Sequence, residues 1–381
     1  MYNSTNNLPS TVISLRFLSV AVLGTAFLIS ACQSKQDKVV SRDTPATVVQ
    51  PTAPDITTMA TFSKRYTGTI GKSAIVLTID KDSSGRLSGV YYYQRTRLPL
   101  TLNGRLRGHE AELDEQDQAG KITGRFAGKL SASGWTGIWT NAKTGAPLPL
   151  ALQEDYTGSA RLTFGSKEIE DCTIRFENRP ADTDNCSAVS LRLPLIEEHD
   201  KLNEDIRQLL MDDGTGTTEN QNLDLQTWIK KRVSEGPVQA YIDVSVVNNS
   251  YHLLSLKIDE SEDSGGVHPN HSSRYINYDL RQNARIRLRD LLVPGYEQRL
   301  LLLGRRLFYA QNADNGMLNE ADEFKLNENF LVQPTGLLFR FNPYEAAAYA
   351  GGDPTLFITY KQLGALLRQE NPAQPFINGR L

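Results

Sequence analysis

Length, composition and charge set the first limits on this chain. It has 381 residues, with 41 Lys and Arg against 44 Asp and Glu, and a formal net charge of −3. Nucleic-acid binding usually needs a basic surface, so this balance predicts no nucleic-acid partner. Mean hydropathy is −0.39, and beyond the N-terminal region no stretch approaches the roughly 20 apolar residues of a membrane-spanning helix.

The N-terminus has the organisation of a bacterial export signal. Arg16 is followed by an apolar run over residues 17–29, and small residues then precede Cys32. The run is too short for a stable spanning helix but is typical of a signal peptide. We therefore predict a signal peptide over residues 1–31. An ordinary secretory signal with a chance cysteine is the alternative to a lipoprotein signal.

The residues Ile29-Ser30-Ala31-Cys32 resemble the lipobox of bacterial lipoproteins. In such proteins the cysteine thiol is acylated and the cysteine becomes the new N-terminus. The resemblance implies a lipid anchor at Cys32 and a mature chain in the cell envelope, held to the membrane by lipid alone. Gln33 stands where lipoproteins retained at the inner membrane often carry Asp. This favours the outer membrane, facing the periplasm, if the organism is Gram-negative.

The segment after the cysteine is polar. Residues 32–60 are rich in Ser, Thr, Pro, Gln, Lys and Asp and carry almost no large apolar side chain. Such a segment cannot bury enough surface to offset its conformational entropy. We predict a disordered tether that holds the folded part roughly 30 Å from the bilayer if it behaves as a coil.

The other two cysteines form an even pair. Once Cys32 is assigned to lipid, Cys172 and Cys186 remain, in a compartment where disulfides persist. We predict that they are bonded and that the bridge lies in an exposed polar excursion of the chain. Two free thiols are the alternative, and metal binding by the pair is not expected because no histidine is near.

Residues 61–155 alternate between apolar and polar with a period of two, and glycine turns separate the runs. About eight strands and no helix are expected. An antiparallel meander that closes into a small barrel would remove exposed strand edges, so we predict an all-β N-terminal domain of this kind. The aromatic residues Tyr91, Tyr92, Tyr93, Trp135 and Trp139 either line a ligand-binding mouth or pack in the core.

Residues 156–381 mix the two periods. Apolar spacing of three and four predicts helices near 202–210, 225–233, 296–310 and 362–368. Alternation predicts strands at 238–246, 254–258, 275–280, 284–288, 337–341 and 356–360, with a hairpin turn at Asn248-Asn249. Strands in hairpins with interspersed helices indicate an α+β domain with an antiparallel sheet.

A set of motifs in this second domain is similar to those of a known family. They are Gly265-Gly266-Val267-His268, Asn277-Tyr278-Asp279-Leu280, Leu288-x-Asp290-Leu291, and Phe341-Asn342-Pro343-Tyr344-Glu345 followed by Tyr349 and Gly351. Through them, residues 185–370 resemble the extracytoplasmic domain of lysozyme-sensing anti-sigma factors, which also occurs beside the catalytic domain of some peptidoglycan deacetylases. The resemblance implies an α+β envelope domain of largely unknown function, which binds lysozyme in some members. We expect neither deacetylase nor sigma-factor-binding activity, because the sequence shows no domain or segment for them.

The segment between two predicted strands is the candidate binding loop. Its residues are Glu260, Glu262, Asp263, Gly265, Gly266, His268 and His271. Loops on rigid sheets present side chains to partners, and acidic groups would attract a basic muramidase. The histidines and carboxylates could also hold zinc. Glycines and acidic residues are, however, what a solvated hairpin tip carries, so no metal and no cofactor are predicted.

The nearby aromatic segment has two interpretations. Tyr344 and Tyr349 are expected to pack on the sheet within a tight turn, with Glu345 fixing backbone amides. They are equally compatible with a recognition surface.

No compact catalytic motif is present in the sequence. Gly71-Lys72-Ser73 ends like a phosphate-binding loop, but Tyr66 occupies the position that needs Gly. We therefore predict a non-enzymatic envelope lipoprotein that binds a cell-wall glycan, such as a peptidoglycan fragment, or a wall-degrading enzyme such as lysozyme. The alternative is a hydrolase acting on envelope polymers, which convergence of His268, Asp290 and Glu345 in a cleft would favour.

Overall fold

The structure is a computed structural model that describes residues 55–117, 119–177, 179, 185–212 and 220–377. The predicted signal peptide, the lipidation site Cys32 and the tether up to residue 54 lie outside the described residues. Within the described ranges, no helix is both long enough and apolar enough to cross a membrane.

The N-terminal part is a closed antiparallel barrel of eight strands, as the alternating pattern predicts. Each strand pairs with the next, and β8 pairs with β1 to close the sheet. The strands are β1 (Phe62–Ile70), β2 (Ser73–Lys81), β3 (Arg86–Tyr93), β4 (Leu100–Arg107), β5 (Glu110–Gln116), β6 (Ile122–Leu130), β7 (Gly134–Asn141) and β8 (Pro147–Glu154).

Aromatic side chains fill the barrel interior. Tyr66, Tyr91 and Trp135 are fully buried, and Phe126 packs against both Tyr91 and Trp135. These rings form a packed core, so the interpretation that Tyr91 and Trp135 line a ligand-binding mouth is wrong. The hydrophobic cluster of the barrel also includes Ile56, which is 1% exposed. The ordered barrel therefore begins within the segment that the sequence assigns to the tether.

One carboxylate lies inside the barrel. Glu115 is 3% exposed and accepts hydrogen bonds from the Tyr91 hydroxyl, from Trp139 Nε1 at 2.7 Å and from Thr123 Oγ1 at 2.5 Å. Gly124 makes room for this arrangement, because a Cβ there would lie 2.4 Å from Trp139 Nε1. The three donors satisfy the buried charge, so Glu115 has a structural role.

The middle of the chain forms a six-stranded sheet in the order β14-β13-β12-β11-β10-β9. Its strands are β9 (Leu162–Arg175), β10 (Cys186–Ile196), β11 (Gln239–Ser250), β12 (Leu253–Asp263), β13 (Asn270–Asp279) and β14 (Ala284–Arg285). All neighbours are antiparallel except β10 and β11. A parallel pair needs a crossover, which the helices α1 (Asp200–Met211) and α2 (Leu225–Ser234) and a 3-10 turn at Asn220–Asn222 occupy.

Both crossover helices bury the residues that their spacing predicts. In α1 these include Leu202, Ile206 and Leu210, and in α2 they are Trp228, Ile229 and Val233. Asp224 caps α2 by accepting a hydrogen bond from the Thr227 amide at 3.0 Å.

The disulfide between Cys172 and Cys186 is confirmed, but its surroundings differ from the prediction. Cys172 lies in β9 and Cys186 begins β10, so the bridge joins two paired strands. The sequence did not reveal this strand because its composition is polar. Nine of its fourteen residues are exposed and only Leu162 is buried.

The turn between β11 and β12 also differs from the prediction. Tyr251 and His252 form it, with φ values of 58° and 61°, and Ser250 pairs with Leu253. Asn248 and Asn249 are instead buried, and their side-chain amides donate to the Leu253 and Ala160 carbonyl oxygens at 2.9 and 2.8 Å. Their side chains satisfy buried backbone groups, so these asparagines do not mark a turn.

The C-terminal part adds a three-stranded antiparallel sheet in the order β15-β16-β17. Its elements are α3 (Leu288–Leu291), α4 (Glu297–Gln311), β15 (Phe330–Gln333), β16 (Gly336–Arg340), a 3-10 turn at Tyr349–Gly351, β17 (Thr355–Thr359), α5 (Tyr360–Leu363), a 3-10 turn at Gly364–Leu366 and α6 (Gln374–Ile377). The predicted helix at 362–368 is thus two shorter turns, because Gly364 adopts a φ of 47°.

Side-chain hydrogen bonds join the three parts. Asn277 in β13 donates to the Phe330 carbonyl oxygen at 2.8 Å and accepts from the Val332 amide at 2.9 Å. Arg65 in β1 donates from Nε to the Asn249 carbonyl oxygen at 2.9 Å. These bonds are buried, so the barrel and the two sheets pack as one unit from Thr52 onward.

Candidate functional site

The candidate binding loop is the connection between β12 and β13. Gly265 has a φ of 84°, whereas Gly266 is not in the left-handed region. The Asp263 carboxylate accepts a hydrogen bond from the Gly265 amide at 2.9 Å and so fixes the start of the turn. Val267 is fully exposed at the tip.

The acidic residues of this hairpin are paired with cations. Arg232 on α2 forms ion pairs with Glu260, at 3.0 Å, and with Glu262. Arg179 pairs with Asp263. Glu260 and Glu262 lie within strand β12, away from the tip. The acidic groups that were expected to attract a basic muramidase are therefore paired, and the charge available to attract a basic protein is small.

Beside the tip lies a cluster of rings that we call the aromatic platform, composed of the exposed His271 and Tyr344 and the half-buried His268 and Tyr349. The His268 ring stacks on the Tyr349 ring with centroids 3.9 Å apart and an interplanar angle of 25°. The Tyr344 ring lies 5.9 Å from Tyr349 on another side, and the His271 ring lies 5.5 Å away, edge to face. Tyr344 is 63% exposed, so it does not pack on the sheet as predicted.

Hydrogen bonds hold the platform to the fold. The Tyr349 hydroxyl donates to the Pro269 carbonyl oxygen at 2.7 Å. His271 Nε2 lies 3.0 and 3.1 Å from the two carboxylate oxygens of Asp353, and Arg340 Nη2 donates to the same carboxylate at 2.6 Å. The Asp353 side chain is only 7% exposed. The orientations of the Tyr349 and His271 rings are therefore set before any ligand binds.

The turn that carries Tyr344 is equally well fixed. The Glu345 carboxylate accepts from the Asn342 amide at 3.0 Å and from Asn327 Nδ2 at 2.8 Å, which agrees with its predicted role. Asn342 in turn accepts from the Ser273 amide at 2.7 Å and ties the turn to β13. Tyr344 has a φ of 70°, which is uncommon for a bulky residue and needs a surrounding structure that enforces it.

The three residues required for a hydrolase do not form one constellation. Glu345 bonds the turn described above, and His268 stacks on Tyr349. Asp290 caps α3 by accepting from the Arg287 amide at 2.7 Å and lines a separate polar cleft with Arg285. These three residues therefore give the hydrolase alternative no support.

The histidines and carboxylates that were considered as zinc ligands have other partners. Among the described residues, one group of three metal-ligand side chains has the required proximity, namely Glu170, Cys172 and Cys186. The two cysteines are bonded to each other, so their thiolates are unavailable. His271 is bound to Asp353 and is not part of such a group.

Sequence reasoning missed Asp353 and Arg340 as parts of this site. They lie 82 and 69 positions from His271 along the chain, and neither stands in a motif that marks it. Tyr344 and Tyr349 were recognised in the sequence, but the exposure of Tyr344 was not.

Part of the chain is similar to a known domain family. Residues 289–361 match the model of the family described as "Protein of unknown function (DUF3298)". The match includes Tyr344, Tyr349 and Asp353 but not the hairpin with His268 and His271. No curated protein sequence matches the chain.

Solved structures of the same family are similar to this chain. One is a DUF3298 family protein from Pseudomonas aeruginosa PAO1, with 18% sequence identity and a TM-score of 0.47, and the match covers 55% of this chain and 95% of that one. Another is a DUF3298 family member from Bacteroides fragilis, with 18% identity and a TM-score of 0.46, covering 59% of this chain and 99% of that one.

Proposed function

We propose that this chain is a lipid-anchored envelope lipoprotein that binds a cell-wall glycan, without catalysis, on the aromatic platform. The observation that carries the proposal is the stack of His268 on Tyr349 with the exposed ring of Tyr344 beside it. Pyranose rings present an apolar C–H face together with hydroxyl and N-acetyl groups. Amphipathic rings with a polar edge suit such ligands, because they offer apolar area and hydrogen bonding together.

Two further features support a binding role. Tyr344 combines high exposure with a left-handed backbone, and such strained positions cluster at ligand sites. Pro269 holds the Tyr349 ring and Asp353 holds the His271 ring, so these two side chains would lose little entropy on binding. The resemblance to the extracytoplasmic domain of lysozyme-sensing anti-sigma factors and of some deacetylases favours a ligand from the cell wall.

The charges favour the glycan over a basic wall-degrading enzyme. Four carboxylates, on Asp259, Glu260, Glu262 and Asp263, face four cations, on Lys257, Arg179, Arg232 and Arg274. Their formal charges cancel, so this surface gives little electrostatic steering. Binding of a neutral sugar does not depend on electrostatic steering.

Titration calorimetry tests the proposal with the fragment Thr52–Leu381, which forms one compact unit. The probes are chitotetraose and a soluble disaccharide muropeptide. Tyr344→Ala should weaken binding about tenfold, equal to about 1.4 kcal/mol, whereas Tyr344→Phe should retain most of the affinity. Tyr241→Ala is the matched control, because Tyr241 is also exposed, at 54%, but lies in β11.

Two results would overturn the proposal. One is the absence of heat from both probes at millimolar concentration. The other is an equal loss of affinity in the Tyr344→Ala and Tyr241→Ala variants, which would place the glycan away from the platform.

A further inference from the structure

A second candidate site lies between the outer wall of the barrel and the two sheets. It is a cleft of about 450 Å³, in the size range of small-molecule sites. Outward-facing residues of β2, β3 and β4 form one wall. The end of β11 and the turn between β15 and β16 form the other.

The walls of this cleft are mainly apolar. Val76, Val90 and Tyr92 contribute on the barrel side, and Val246 and Val332 contribute on the sheet side. Burial of an apolar ligand against them would be favourable, at about 25 cal/mol per Å² of surface removed from water.

Most polar groups along the walls already have partners. The Tyr92 hydroxyl donates to Ser250 Oγ at 3.0 Å, and Ser250 donates to Asn248 Oδ1 at 2.9 Å. Asp80 differs, because its Oδ1 atom is buried without a hydrogen-bond partner. In the described part of the chain five side-chain atoms are in this condition, and of the residues that carry them Asp80 is the one that lines the cleft.

The charges around Asp80 favour a cation. Burial raises the pKa of Asp80, and Asp243 raises it further, whereas the Ser63 hydroxyl and Arg192 lower it. Arg192 is itself paired with Asp243 at 2.9 Å, so the Asp80 carboxylate has no cation of its own. A cationic donor would supply both the missing hydrogen bond and the missing charge.

Two other charged groups line the cleft. Arg97 donates to the Gln94 and Phe376 carbonyl oxygens, and Asp117 accepts from the Ala119 and Lys121 amides. Their formal charges cancel, which leaves Asp80 as the uncompensated group of the wall.

We propose that this cleft binds a small apolar amine, whose ammonium group pairs with the Asp80 carboxylate and whose apolar body packs against Val76, Val90 and Val246. The site is separate from the aromatic platform, and it uses residues of both the barrel and the sheet. Binding would therefore strengthen the junction between them.

A displacement assay on the fragment Thr52–Leu381 tests the site. The fluorescent probe is N-phenyl-1-naphthylamine, an apolar molecule with one N–H donor whose emission rises in an apolar environment. The competitors are octylammonium, octanol and octanoate, which share one chain and differ in the head group. Octylammonium should displace the probe at concentrations about tenfold lower than octanoate does.

Two variants and one control complete the design. Asp80→Asn should reduce the preference for octylammonium over octanol to less than about twofold while octanol still competes. Val90→Trp should fill the cleft and abolish the fluorescence rise. Ile138→Trp adds the same ring at a 50% exposed position on β7 and should leave binding unchanged.

Three outcomes would overturn the proposal. The first is that the unmodified fragment gives no rise in probe fluorescence, and the second is that the rise persists in the Val90→Trp variant. The third is that octylammonium and octanoate displace the probe equally well. Octanol should still compete for the cleft in the Asp80→Asn variant. Competition by octanol therefore shows that the variant is folded, so that loss of the fold is distinguished from loss of the ammonium site.

Discussion

His271 and Asp353, 82 positions apart in the sequence, are joined by contacts of 3.0 and 3.1 Å between Nε2 and the two carboxylate oxygens. Asp353 also accepts from Arg340, so one nearly buried carboxylate connects β16 to the hairpin between β12 and β13. The platform rings and the three-stranded sheet are thereby linked through a single side chain.

Replacement of this carboxylate should affect both stability and the platform. Asp353→Ala removes hydrogen bonds to two basic side chains, and we expect the free energy of unfolding to fall by about 1.5–3 kcal/mol. Urea unfolding measures this change. Asp353→Asn keeps the shape and one acceptor, so its loss should be smaller. A change below about 0.5 kcal/mol in Asp353→Ala would contradict a linking role.

The raised pKa of Asp80 should make the stability of the protein depend on pH in an unusual way. Its folded-state pKa is raised above the ordinary value of 3.8, so its contribution to stability is complete below that value and is lost as the pH rises through the folded-state pKa. Asp80→Asn should therefore raise the free energy of unfolding at neutral pH, by about 1–3 kcal/mol. The gain should vanish below about pH 4, where both states of the wild type are protonated.

Urea unfolding between pH 4 and pH 8 measures this difference. The matched control is Asp243→Asn, because Asp243 is paired with Arg192 at 2.9 Å. That variant should be destabilised at neutral pH. If Asp80→Asn is also destabilised there, the carboxylate has a partner that stabilises it, and the argument from its buried oxygen fails.

The fold class was predictable where one face of an element is buried and the other is not. The barrel strands alternate, as in Ile75, Leu77 and Ile79 facing the core, so the sequence carries the pattern directly. Strand β9 carries no such pattern, because it is largely exposed. The parallel pairing of β10 with β11 depends on the crossover and has no local signal.

The binding surface was predictable only in part. Gly265 marked the hairpin tip, and Glu345 was expected to bond backbone amides. The pairing of Arg232 with Glu260 and the stacking of His268 on Tyr349 join distant segments, so they depend on the tertiary fold. The local sequence therefore showed which residues are polar or aromatic, but not which of them are paired or stacked with residues from distant segments.

The disulfide should contribute measurably to stability. Cys172 and Cys186 are 14 positions apart, and closure of a loop of that length contributes about 3 kcal/mol in the chain-entropy model. The double variant Cys172→Ser/Cys186→Ser should lose about that amount and still form the sheet, since β9 and β10 remain paired along their length. Reductant should have no effect on the variant. Thiol titration of the denatured wild type should find neither cysteine reactive.

The lipid anchor can be tested independently of the fold. Cys32→Ala should leave unprocessed precursor and abolish incorporation of a labelled fatty acid, because acylation requires that thiol. Cys172→Ala is the control and should keep the label, since this cysteine is bonded to Cys186. Label retained on Cys32→Ala would contradict the anchor and, with it, the proposed location in the envelope.

Loss of the Arg232 charge should destabilise the hairpin. Its guanidinium bridges Glu260 and Glu262, which lie two residues apart on one face of β12. Arg232→Ala should lower the free energy of unfolding by about 1–2 kcal/mol, discounted for partial exposure. The loss should shrink in salt, which screens the repulsion between the two carboxylates. Lys230→Ala, at an exposed position of α2, should change stability by less than about 0.5 kcal/mol.

The same variant separates the two proposed ligand classes. Because Arg232 neutralises two carboxylates, the association rate of wild type with a basic lysozyme should change little between 20 and 200 mM salt, at most about twofold. Arg232→Ala frees those carboxylates and should restore a salt-dependent encounter. Stopped-flow or surface-binding kinetics measure both rates. The opposite outcome is a wild-type association rate that rises steeply at low salt and that falls in the Glu262→Lys variant. This outcome would favour a wall-degrading enzyme as the ligand over a glycan bound on the aromatic platform.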